Sequence, residues 1–239
     1  MLKIENLIAG YGGGDVLKGI NLVVEERSLT CLVGPNGAGK STVLRVISGL
    51  LRPRHGAITF LGRSIAGRVP RQILDLGIVQ VPQEHSLFQD MTVRENMELG
   101  ALLLRDKALM GRRLAEIEEL FPVVRDRSKE RAGNLSGGQQ RQIEIARSLM
   151  LDPKLVLLDE PSMSLDPITL KQVFDTITRM HDTGRTVLLV EQNVRSGLSI
   201  ATHGVVLESG SVRMQGRAND VLSDPEMSHL FFGGTLSGA

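Results

Sequence analysis

The sequence predicts an α/β fold: a core with a mixed sheet, an antiparallel β-subdomain at the N-terminus and a helical insertion. Three observations carry that expectation. Short, nearly continuous apolar runs at 29–33, 78–81, 155–158 and 186–190 alternate with helical patterns, as parallel strands covered on both faces do. These four are expected to share one sheet. The stretch 4–24, with Gly12, Gly13 and Gly14 at a turn, and the stretch 204–214 around Ser209-Gly210 read as antiparallel strands. Between Thr92 and Met150 no strand pattern appears; Thr92-Val-Arg-Glu95 is a capping box opening a helix, and 109–120 has helical spacing. Beyond Asp220 a short helical stretch precedes Phe231-Phe232-Gly233-Gly234 and a small-residue end expected to be mobile.

Composition narrows the function classes. Among 239 residues, 28 Lys and Arg stand against 27 Asp and Glu, a net charge of +1 that argues against a chain devoted to neutralising nucleic acid or an acidic membrane surface. Six Phe, one Tyr and no Trp are too few for a platform stacking single-stranded bases. The single cysteine, Cys31, cannot form an internal disulfide, and the start Met-Leu-Lys-Ile-Glu-Asn does not resemble a signal peptide, so a cytoplasmic location is expected. The longest apolar runs, such as 101–104 and 155–158, fall far short of the roughly 20 residues a spanning helix needs.

Gly34-Pro35-Asn36-Gly37-Ala38-Gly39-Lys40-Ser41 fits the pattern G-x-x-x-x-G-K-[ST], directly after the strand 29–33 and before Val43, Val46, Ile47 and Leu50 at helical spacing. Backbone N–H groups of such a loop curl around a polyphosphate, Lys40 adds a full charge, and the Ser41 hydroxyl can ligate Mg²⁺. The bland alternative is a glycine-rich turn carrying a surface lysine.

The run Leu155-Val-Leu-Leu-Asp159-Glu160-Pro161 puts two carboxylates where an apolar strand stops, a costly arrangement unless chemistry uses them. Asp159 suits Mg²⁺ coordination. Glu160, expected to be held extended by Pro161, suits orientation and deprotonation of an attacking water. As a bland alternative, Glu160 is a solvated loop residue.

Leu135-Ser136-Gly137-Gly138-Gln139 contains an S-x-x-Q capping box for a helix running to Met150, with Ile143, Ala146 and Met150 inward. Two glycines in a first helical turn cost about 1 kcal/mol each relative to alanine, more than a plain cap requires, and their bare N–H groups suggest a second anion site.

With these residues the chain resembles, over nearly its whole length, the nucleotide-binding subunit of an ATP-binding-cassette (ABC) transporter, a P-loop NTPase; 135–139 matches the family signature. The resemblance implies one ABC ATPase domain, with core residues 1–90 and 151–239 and a helical subdomain 91–150. It implies ATP with Mg²⁺, Tyr11 stacking on adenine, residues 34–42 through Thr42 holding the phosphates, and Gln83 reaching Mg²⁺ and the attacking water. It further implies a head-to-tail dimer with a second ATPase subunit, identical or sister, in which Ser136, Gly137, Gly138 and Gln139 close over the partner's ATP. Ser164-Leu165-Asp166 would cross to that partner. Bland readings stand beside three of these: Tyr11 packing at a strand end, Asp166-Pro167 as an ordinary helix cap, and Gln83 as a loop glutamine.

The chain departs from the family where a histidine usually contacts the γ-phosphate: here Val190-Glu191-Gln192-Asn193 places Gln192. An amide can donate to phosphate but cannot titrate near neutral pH. Hydrolysis is still expected, with Glu160 as base. Phe121-Pro122, Val-Glu-Gln-Asn and the tail from Gly216 to Gly234 resemble one of the two ATPase subunits of bacterial branched-chain amino-acid importers. That implies transmembrane permease subunits, an indirect solute-binding protein, no nucleic acid, and a peripheral place on the inner face of the membrane. Importers of amides or urea, a nucleotide-responsive regulatory module with little turnover, and an ABC ATPase acting on DNA or ribosomes are the alternatives.

Overall fold

A computed structural model describes residues 1–231, the side chains of 228–230 excepted. The expectations for Phe232-Gly233-Gly234 and the chain end lie outside the described residues. The chain divides into two compact units: Met1–Ile73 with the chain from Thr186 onward, and Leu74–Arg185.

The first unit holds two sheets. In one, β1 (Leu2–Ala9) pairs antiparallel with β2 (Leu17–Val24) on one side and with β4 (His55–Phe60) on the other, and β5 (Arg63–Ser64) extends β4. Leu2, Ile4, Leu7 and Ala9 are buried, a pattern that breaks strict alternation between Ile4 and Leu7. The register shifts there, and Asn6 takes φ +47° while its amide donates to Asn21 Oδ1. One extra residue thus returns the later side chains to the core face.

In the other sheet, β3 (Leu29–Val33) runs parallel to both β8 (Thr186–Glu191) and β9 (His203–Glu208), while β9 pairs antiparallel with β10 (Ser211–Arg217). It is mixed, as expected. Every residue of β3 and β8 is buried, which is why their sequences are apolar throughout. The Lys18 amide donates to the Gly210 carbonyl at 2.8 Å, tying β2 to the β9–β10 turn. Helices α1 (Lys40–Ile47), α8 (Val194–Ile200), α9 (Ala218–Ser223) and α10 (Pro225–Phe231) complete the unit; α2 (Pro70–Asp75) leads into the second.

In the second unit β6 (Ile78–Val81) pairs parallel with β7 (Leu155–Asp159), the latter wholly buried. Around them are α3 (Val93–Gly100), α4 (Lys107–Leu120), α5 (Pro122–Asp126), α6 (Gly137–Ser148) and α7 (Pro167–Asp182). Their starts are chemically capped. Thr92 and Ser136 each form a reciprocal capping box, with Glu95 and Gln139, and Asp106 and Asp166 accept from the first free amides of α4 and α7. Helix α6 ends at Ser148, and a 3-10 turn over Leu149–Leu151 carries Met150 into the core. Among the described residues no helix is long and apolar enough to cross a membrane.

Candidate nucleotide site

The glycine loop joins β3 to α1 inside the first unit. Gly39, at the helix N-cap, has φ +104°, and a Cβ there would come within 2.8 Å of the Leu17 side chain; only glycine satisfies both demands. The Lys40 side chain is buried and folds over its own loop, its ammonium donating to the carbonyls of Gly34 at 2.9 Å and Pro35 at 3.3 Å. The charge is therefore fixed where the loop curls. Pro35, Asn36 and Gly37 are exposed, Ala38 and Thr42 are buried, and Ser41 lies part-buried in the first helical turn.

Tyr11 follows β1 and is 48% exposed. Arg45 of α1 donates to its hydroxyl at 3.3 Å, with the guanidinium carbon 6.0 Å from the ring centroid. The ring is not packed away at a strand end. Arg54 braces the loop behind it, pairing with Asp15 at 2.6 Å and donating to the Gly12 carbonyl. At the end of β8, Gln192 is exposed, and its neighbour Asn193 caps α8 by accepting from the Ser196 amide. His55, His85 and His203 are exposed and His181 is part-buried.

In the second unit Asp159 ends β7 and Glu160 follows; both are buried. Glu160 is not extended, contrary to the expectation from Pro161. Its φ is +45°, a left-handed conformation of a kind that costs roughly 1–3 kcal/mol in a non-glycine residue. Two turns follow, Met163 N to Glu160 O at 3.1 Å and Leu165 N to Ser162 O at 3.2 Å. The Glu160 carboxylate lies at the end of β6, where the Gln83 amide Nε2 donates to Glu160 Oε2 at 3.0 Å and to Met163 Sδ at 2.8 Å.

The signature residues open α6. Ser136 Oγ accepts from Gln139 N, and the Gln139 side chain accepts from Ser136 N at 3.1 Å. The two glycines differ. A Cβ at Gly138 would collide with the Thr169 methyl on α7, whereas one at Gly137 would meet nothing nearer than Leu165 Cδ2 at 3.9 Å. Packing thus accounts for Gly138, and Gly137 alone is exposed without such a reason. Asp166 caps α7 by accepting from the amides of Ile168 and Thr169, with Pro167 in the first turn; the capping reading holds.

The family model described as ABC transporter matches residues 17–163. The chain belongs to the ABC transporter family. Relatives of this ABC cassette include the high-affinity branched-chain amino acid transport ATP-binding protein BraG of Pseudomonas aeruginosa, 36% identical over 98% of this chain and 100% of its own. The lipopolysaccharide export system ATP-binding protein LptB of Haemophilus influenzae is 32% identical over 98% and 97%. Among solved structures, the ADP conformation of MJ1267, an ATP-binding cassette of an ABC transporter, superimposes with TM-score 0.88 at 28% identity over 98% of this chain and 99% of that one. A dimeric post-hydrolysis state of the cassette MJ0796, bound to ADP and Pi, gives 0.79 at 25% over 91% and 99%. The cassette is a nucleotide-binding ATPase.

In the first unit Ser41 offers a hydroxyl oxygen, and in the second Gln83 and Asp159 offer an amide and a carboxylate oxygen; each is a hard donor of the kind Mg²⁺ takes alongside phosphate and water. Among the described residues there is no group of three His, Cys, Asp or Glu that could hold a metal ion. Sequence reading did not single out Arg141, Glu144 and Arg147 of α6, nor Met163 and Thr169. The three-residue spacing of charges through the apolar face of α6 was the available signal.

Proposed function

We propose that this cassette is the ATP-hydrolysing subunit of a membrane importer for branched-chain amino acids. The carrying observation is the Gln83–Glu160 hydrogen bond: a buried carboxylate, strained into place and already held by an amide, is what a general base for water requires. The likeness to BraG over 98% of this chain and the whole of that one supports the solute class.

In this reading Lys40 and the loop amides from Gly34 through Thr42 bind the β- and γ-phosphates, and the exposed Tyr11 ring takes the adenine. Ser41, Gln83 and Asp159 hold Mg²⁺, which when bound neutralises phosphate charge. Glu160 accepts the proton of the attacking water, and the Gln83 amide orients it. Gln192 donates to the γ-phosphate without changing charge near neutral pH. Ser136 Oγ and the N–H groups of Gly137, Gly138 and Gln139 supply the cap over ATP held by a second subunit, sister or identical, and phosphate contacts made only in the closed dimer shift the equilibrium toward closure.

The coupling surface to the permease subunits lies at residues 83–90 and the helical insertion. A cavity of about 330 Å³ in the second unit, lined by Val79, Val81, Pro82, Leu151, Glu144 and Arg147, supports this, as does the exposed Phe88. A solute-binding protein delivers the amino acid on the far side, and the cassette works at the inner face of the membrane.

Reconstitution of the chain with the permease pair that co-purifies with it tests the proposal. The expected result is ATP-dependent uptake of leucine, isoleucine or valine, lost in Glu160→Gln. Hydrolysis with uptake of an amide, urea or another solute instead overturns the solute class. ATP binding without single-turnover hydrolysis overturns the enzyme and favours the regulatory module.

A further inference from the structure

The loop from Pro82 to Asp90 that carries Gln83 is mostly exposed, with only Leu87 buried, so apolar packing does not hold it. Side chains of α6 hold it at Pro82, Gln83 and Ser86, and Asn96 of α3 holds it at Phe88. Arg141 donates from Nη1 to the Pro82 carbonyl at 2.9 Å and from Nη2 to the Gln83 carbonyl at 2.7 Å. Its Nη1 also lies 2.8 Å from Glu144 Oε2, in an ion pair whose side chains are 3% and 0% exposed. The other carboxylate oxygen of Glu144 accepts the Ser86 amide at 2.6 Å. One turn on, Arg147 donates to the Ser86 carbonyl at 2.9 Å and hydroxyl at 2.7 Å.

These contacts form a closed circuit: Gln83 carbonyl, Arg141, Glu144, Ser86 amide, and the chain back to Gln83. Nearly every bond goes to backbone, so the circuit fixes where the loop runs and not which side chains it carries. Burying two charges is unfavourable unless each is paired and hydrogen-bonded; here Arg141 donates to two carbonyls and Glu144 Oε1 accepts the Ser86 amide, while Glu144 Oε2 is held by the ion pair with Arg141 alone. Arg141 also lies one turn beyond Gly137 and Gly138, and a helix transmits displacement as a rigid rod. Any shift of the α6 N-terminus therefore reaches the Gln83 peptide through a single guanidinium.

We infer that Arg141, locked by Glu144, is a positioning residue that sets Gln83 against Glu160 and ties that placement to the position of the signature turn. The inference rests on the reading of Gln83 as a group acting at the nucleotide. Lysine at this position keeps the charge opposite Glu144 but cannot span both carbonyls and the carboxylate with one compact ammonium.

The test is steady-state ATP turnover of the full-length chain, with melting temperature and fluorescent-nucleotide affinity measured beside it. Arg141→Lys is expected to lower kcat at least tenfold with KM for ATP and nucleotide affinity within twofold of the parent. Combined with Gln83→Ala it should lower kcat no further than Gln83→Ala alone, because both changes remove one function. A parent-like kcat in Arg141→Lys, or losses that multiply in the double variant, overturns the inference. If Gln83→Ala itself turns over at the parent rate, the role of Gln83 fails first, and that result is separable from any effect at Arg141. Should Arg141→Lys not fold, Glu144→Gln carries the same test: it keeps an acceptor for Ser86 but releases Arg141, and must show the same kcat loss and the same non-additivity.

Discussion

Gln83 Nε2 donates to Glu160 Oε2 at 3.0 Å, so the side chain just past β6 and the carboxylate just past β7 are joined directly. Two neighbouring parallel strands thus deliver an amide and a base to one point. The register Val81 opposite Leu158 explains how, because each residue lies two positions beyond its strand's last paired partner.

Replacing Glu160 by Gln separates base from scaffold. The amide oxygen still accepts from Gln83, so the turn after β7 should persist and the melting temperature should stay close to the parent's. ATP binding should be retained and hydrolysis lost, with the ATP-bound dimer accumulating. Size-exclusion chromatography with ATP, alongside single-turnover assays, reads both; parent-rate hydrolysis would remove Glu160 from its role.

Lys40→Met keeps the buried stem but removes the donor to Gly34 and Pro35 and the charge offered to phosphate. Nucleotide affinity should fall at least tenfold. Stability should drop by only about 1–3 kcal/mol, the cost of leaving buried acceptors unpaired. Fluorescent-nucleotide titration and denaturant unfolding measure the two effects separately.

The signature glycines should respond in opposite directions. Gly138→Ala drives a methyl into Thr169, an overpacking that costs roughly 1–3 kcal/mol, and Thr169→Ser should restore most of it by removing the opposing methyl. Gly137→Ala finds open space and should stabilise α6 by up to about 1 kcal/mol. Equal destabilisation by both alanines would contradict this division.

Asp166 gives a pH signature. Its carboxyl is held below the usual range, first by the Thr169 side chain and next by the Thr169 and Ile168 amides, all donating to the charged form. The cap therefore favours the folded state fully above the unfolded carboxyl's pKa, and that contribution is lost as pH falls through the lower folded value. Asp166→Asn keeps an acceptor oxygen, so its melting temperature should show a shallower decline below about pH 4 than the parent's. Parallel declines would remove Asp166 from the titration.

Gln192→His would place a group titrating near neutral pH at the end of β8. Turnover in this variant should acquire a dependence on pH around the imidazole range that the parent lacks. A profile identical to the parent's would show that residue 192 does not meet the nucleotide.

The strands β3, β7 and β8 were legible because total burial forces apolar runs, and the helix starts at Thr92, Ser136 and Asp166 because caps are local chemistry. Strand β4 was not: in His55–Phe60 only Ile58 and Phe60 are buried, too short a pattern to stand out. The left-handed turn at Glu160 was hidden for a different reason, since the local preference before proline points the other way and tertiary contacts overrule it. By itself the sequence determined the phosphate loop, the two carboxylates and the family, because those depend on residue identity at fixed short spacing. Only the tertiary structure decided that Gly138 serves Thr169, that Glu160 is bonded to Gln83, and that Arg141 and Glu144 hold the Gln83 loop. Those relations join residues far apart in the chain, and distance in sequence carries no record of which buried charge meets which carbonyl.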